Sequence, residues 1–201
     1  MRFAARAIGA LVSMGLLATG LASISSPASV ADALSLKPTV GVLDFDAPPT
    51  VNPAGTVIPQ RFAADDLSSR LEAAAEGRFV MLARDDVRHA QAALNWRGAD
   101  GLSRDRLSAL AERLHANKLV VGRITTYHLA HEGGPGAARA FSGNATIAVQ
   151  LFDVHTRQWI WQTTASGNGR ASTTAQAARN IMRNAVMRTV DGLTTALSNA
   201  R

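Results

Sequence analysis

Between Ala145 and Val154 the residues Ile147, Val149 and Leu151 alternate with Thr146, Ala148 and Gln150, the period of two expected of a strand with one buried face. Strand-like stretches flank it on both sides. Lys118 to His128 is rich in β-branched residues, and Arg157 to Ala165 resumes after a short polar turn. The segment LFDVHTRQWIWQ, Leu151 to Gln162, therefore reads as a hairpin. Strict alternation places Trp159 and Trp161 on one face of it, as core and not as a ligand platform.

The preceding sequence reads as strand and helix in turn. KPTVGVLDFD, Lys37 to Asp46, sets Val40, Val42 and Phe45 in a buried strand closed by Asp44 and Asp46, and the proline-rich APPTVNPAG that follows is a loop. Ile58 to Ala75 carries Ala64, Leu67, Leu71, Ala74 and Ala75 at helical spacing, with Gly77 as its stop. RFVMLA, Arg78 to Ala83, suits a second strand, and Asp85 or Asp86 is positioned to cap a short helix through Leu94. Ser103 starts a helix with Leu107, Leu110, Ala111 and Leu114 on one face, which Asn117 would end in the left-handed conformation. A long helix over Thr173 to Ser198 presents Met182, Val186, Val190, Leu193 and Leu197. The expected fold is α/β (α+β): a single domain over residues 34–201, with a mixed sheet of about five strands flanked by helices.

Residues 1–33 are set apart as a secretory signal peptide. Arg2 and Arg6 precede the apolar run Ala7 to Ala22, which is shorter than the ~20 residues of a spanning helix. Small-x-small sites predict cleavage after Ala31 or Ala33, with an uncleaved membrane anchor as the alternative. The chain has no cysteine, which excludes disulfides, thiolate metal sites and a lipid anchor attached at cysteine. Cleavage after Ala33 removes two arginines and one aspartate, so the formal charge falls from +6 to +5. The basic residues are scattered, which points away from nucleic acid. Only near the end do several arginines gather against the single acid Asp191. Among them Arg179, Arg183 and Arg188 are candidate contacts for an acidic partner or anionic lipid head groups; the alternative is the polar flank of an ordinary helix.

No catalytic constellation emerges. There is no G-x-S-x-G elbow, GGPG at Gly133 to Gly136 lacks a following lysine or threonine, and His128 and His131 are three apart on a strand end and so diverge. Asp44 and Asp46 share a strand face and would suit a cation or an acid/base pair. Without another ligand in view, the simpler reading is that they end the strand and cap the loop. Asp65, Asp66, Asp85 and Asp86 read as helix-start charge and solvated surface. No cofactor or metal is expected.

Four segments stand in an informative order: VGVLDFD (Val40 to Asp46), RFVMLARDD (Arg78 to Asp86), LAERLHANKLVVGRITTY (Leu110 to Tyr127) and VQLFDVHTRQWIWQ (Val149 to Gln162). Together they resemble the bacterial envelope proteins related to the curli secretion lipoprotein CsgG, the penicillin-binding-protein activator LpoB and the N-terminal domain of TolB. Arg157 and His115 replace glycines common in that group, which a turn without positive φ would accommodate. The pore of the curli-type members needs membrane strands of ~9–11 apolar-alternating residues. The connections His128 to Asn144 and Thr163 to Thr174 are too polar to face lipid. The resemblance thus implies a periplasmic, non-catalytic accessory protein that binds an envelope protein partner. The alternatives are a homo-oligomeric subunit of a secretion or assembly complex, and a secreted hydrolase with an unfamiliar site.

Overall fold

The computed structural model describes residues 37–47, 59–96, 103–133 and 140–199, which belong to one compact unit, Leu36–Arg201. The expected signal peptide and its cleavage sites lie outside the described residues. The order is β1 (Thr39–Val42), α1 (Pro59–Ala74), β2 (Val80–Met81), α2 (Arg84–Ala93), α3 (Arg104–Leu114), β3 (Lys118–Glu132), β4 (Ala140–Asp153), β5 (Gln158–Ala171) and α4 (Thr174–Asn199). The strands form one mixed sheet, β2-β1-β3-β4-β5, with β1 parallel to β2 and β3 and the rest antiparallel. This is the expected fold class. No described helix is long and apolar enough to cross a membrane.

Both sheet faces are covered, because successive side chains of a strand point opposite ways. Val42, Val120 and Leu151 enter a core closed by α1 and α4 through Leu67, Leu71, Ile181, Met182 and Val186. Their neighbours Leu43, Leu119 and Phe152 enter a second core closed by α2 and α3 through Val87, Leu107 and Leu110.

The tryptophans depart from the expected pattern. Trp161 pairs with Leu151, but Trp159 pairs with Phe152, so β5 advances two residues while β4 advances one. This β-bulge reverses the phase of the strand. Trp159 joins the α2/α3 core, edge-on to Phe152 with ring centroids 5.2 Å apart, while Trp161 packs toward the α1/α4 core.

Turn chemistry differs as well. His115 and Arg157 do adopt positive φ, 51° and 56°, in place of the expected turns without it. His115 is the left-handed cap of α3, and Asn117 is not the terminator. Asn117 Oδ1 accepts from the Thr39 backbone N–H at 2.8 Å, which ties β1 to the start of β3. Ser103 caps α3 as expected, accepting from the Arg106 N–H. Asp85 and Asp86 lie in the first turn of α2, whose N-cap, Ala83, makes no side-chain cap.

The polar stretches expected to be connections are largely strand. β5 runs on to Ala171, and a Cβ added at Gly167 would come within 2.3 Å of the Ile181 carbonyl and the Ala185 nitrogen. Those glycines serve the close approach of α4 to the sheet, not a turn.

Candidate functional site

The carboxyl end of β1 is where an α/β sheet commonly presents ligands, and Asp44 and Asp46 lie just beyond it. Regular pairing stops at Val42, yet Asp46 donates its N–H to the Gly122 carbonyl at 2.9 Å and Ile124 donates to the Asp46 carbonyl at 2.7 Å. The chain is thereby held along β3. Asp44 accepts from Arg84, with Arg88 at 3.7 Å and Arg61 at 3.8 Å. Arg84 also donates to the Val42 carbonyl and pairs with Asp65 at 3.0 Å; Arg88 reaches Asp65 at 2.6 Å and Asp85 at 3.3 Å. Burial opposes the charge of Arg88, but Asp65 and Asp44 outweigh it and hold its pKa above the ordinary value.

Asp44 is therefore the centre of an arginine–carboxylate network joining β1, α1 and α2; the loop it was expected to cap lies outside the described residues. Asp46 pairs separately with Arg123 at 3.5 Å. The two carboxylates thus have separate arginine partners. They border a cavity of about 230 Å³ with Trp96, Arg123 and Gln150, smaller than the ~300–1,000 Å³ of a typical small-molecule site. Among the described residues, no group of three or more His, Asp or Glu could hold a metal. His128 and His131 are exposed on β3, and His131 stands edge-on to Phe141 at 5.1 Å.

The three candidate arginines do not form one patch. At about 100° per residue, Arg179 and Arg183 lie roughly 40° apart on α4 while Arg188 lies roughly 180° from Arg179. Arg179 and Arg183 are exposed and make no ion pair among the described residues. Arg188 donates to the Ser166 carbonyl at 2.9 Å. It is one rung of a ladder: Asn184 donates to the Asn168 carbonyl at 2.7 Å and Asn180 to the Arg170 carbonyl at 3.1 Å. A four-residue helical step of ~6.0 Å matches a two-residue strand step of ~6.8 Å, so one row of α4 seals the outer carbonyls of edge strand β5.

Two features escaped the sequence reading. The ladder is written as Asn180, Asn184 and Arg188 four apart beside Ser166, Asn168 and Arg170 two apart, so both periodicities are visible once the partners are known. The buried Lys118–Asp153 pair leaves no such mark, because it joins two strand ends 35 residues apart.

No family model matches the chain, and no curated protein matches it in sequence. Solved structures do match in fold. The hypothetical protein CT253 from Chlamydia trachomatis is 14% identical with a TM-score of 0.50, covering 82% of this chain and 99% of that one. The lipoprotein GNA1162 from Neisseria meningitidis is 11% identical with a TM-score of 0.50, covering 77% and 99%. The LpoB C-terminal domain from Salmonella enterica is 15% identical with a TM-score of 0.42, covering 67% and 85%.

Proposed function

We propose that the protein is an exported, non-catalytic accessory of the cell envelope, of the CsgG, LpoB and TolB N-terminal kind, acting by presenting a surface to an envelope partner. The observation that carries this reading is the fold it shares with a meningococcal lipoprotein over 99% of that protein's length. The signal-like residues 1–33 support export, and the mutual neutralisation of Asp44, Asp46 and their arginines supports a structural role for the best acid pair. Arg179 and Arg183, exposed neighbours on α4, are one proposed contact for an acidic partner.

Fractionation of native cells tests the location, and in-cell crosslinking followed by mass spectrometry tests the partner. The expected result is recovery in the periplasmic or envelope fraction with a reproducible envelope crosslink, weakened by Arg179→Glu with Arg183→Glu. A cytoplasmic protein, or one without an envelope crosslink, overturns the reading. Loss of a hydrolytic activity in Asp44→Asn with Asp46→Asn, with folding intact, would favour the hydrolase instead.

A further inference from the structure

The ladder that seals β5 stops partway along it. Residues 161–171 pair one-to-one with β4, so the outward set of backbone groups continues without a break from Arg170, Asn168 and Ser166 to Thr164 and Gln162. On α4 the row Asn180, Asn184, Arg188 continues to Gly192 and Ala196, neither of which carries a donor. Among the described residues nothing bonds to the outward carbonyls of Thr164 and Gln162. The edge is open there among the described residues.

Beside this opening lies a groove of about 820 Å³ whose lining includes Ile160, Trp161, Asp191, Gly192 and Ala196. Ile160 is 39% exposed, one of three large apolar side chains that are exposed among the described residues. Trp161 lies against Gly192, where an added Cβ would meet the indole at 3.1 Å. Asp191 is the only acidic residue of α4; it is exposed and makes no ion pair among the described residues. An unpaired edge, an apolar trough and one uncompensated carboxylate are complementary to an extended chain with an apolar and a basic residue two positions apart, whose side chains share a face.

We propose that the Gln162–Thr164 edge takes up such a segment of a partner protein as an added strand, its apolar side chain entering the groove beside Trp161 and its basic side chain facing Asp191. The proposal rests on the reading of the protein as an interaction domain and names its surface. The ladder confines docking to one end of β5, since the other end is already occupied by Asn180, Asn184 and Arg188.

The test titrates the purified, isotope-labelled protein with the blocked pentapeptide Thr-Val-Thr-Arg-Thr and with a version bearing glutamate for arginine. The arginine peptide should shift the amide resonances of Ile160, Gln162 and Thr164, and the glutamate peptide should bind roughly fivefold more weakly. Asp191→Asn should bring the two peptides to within about twofold of each other. Ala196→Asn extends the ladder to the Gln162 carbonyl, and Gln162→Pro removes an outward N–H that β4 does not use; each should abolish the shifts while circular dichroism stays unchanged. Absent shifts, shifts elsewhere, or unaltered binding in both variants overturns the proposal. So does a concentration-dependent dimer in light scattering that uses these same amides, which makes a second copy the occupant. Envelope crosslinks that survive both variants overturn this surface alone; an absence of crosslinks in the parent protein counts against the wider reading.

Discussion

Lys118 and Asp153 are both buried and paired, where two strand ends meet. Burial raises the Asp153 pKa, but the Lys118 ammonium and the Thr156 N–H, at 2.8 Å, outweigh it and hold the carboxyl below its ordinary 3.8. A depressed folded-state pKa contributes stability that is present above the unfolded value and lost as pH falls through the folded one. The pair therefore adds to an acid limb of instability below about pH 4. Lys118→Met strands a buried carboxylate and should cost about 3–5 kcal/mol at neutral pH in urea unfolding, partly recovered by mild acid, whereas replacing both by apolar residues should cost far less. His115 is a second residue-scale test. A non-glycine residue in the left-handed region is strained, so His115→Gly should raise unfolding free energy by roughly 0.5–1 kcal/mol. Here the sequence was only half legible. The departure from glycine at 115 and 157 could be seen, but backbone sign is set by the elements those positions must join, α3 to β3 at 115 and β4 to β5 at 157.

At the level of elements, the order of strands and helices could be read from periodicity, since apolar spacing is what buries a face. What could not be read were the phase and length of the last two strands. A bulge adds one residue without changing composition, so Trp159 and Trp161 looked like a same-face pair and are not. The SGNGRA segment looked like loop because glycine and small polar residues usually are; its glycines instead admit α4. Gly167→Ala should push α4 from β5 and cost about 1–3 kcal/mol or more in thermal unfolding. The arginines on the same helix should behave oppositely. Arg179→Glu with Arg183→Glu touches no described contact and should change stability by no more than about 0.5 kcal/mol, so any loss of crosslinking reports recognition and not folding.

For the whole molecule, the decisive quantity is how much of the core α4 supplies. Ile181, Met182, Val186, Leu193 and Leu197 are all at most 1% exposed. At about 1.5–3 kcal/mol for each buried side chain, their joint contribution rivals the roughly 5–15 kcal/mol that separates a folded domain from its unfolded chain. With no cysteine, no disulfide can offset that loss. A chain ended at Ser172 should therefore fail to fold and should aggregate through the uncovered face of β3, β4 and β5. The other end should be dispensable, because the compact unit begins at Leu36. A chain begun at Leu34, one of the two expected mature starts, should unfold in a single cooperative transition with coincident circular dichroism and fluorescence. Two separated transitions would mean that the α2/α3 core survives without the α1/α4 core. The strands argue against that, since Val42 and Leu43, like Leu151 and Phe152, are adjacent residues anchoring opposite cores, and neither core can lose its strands without the other.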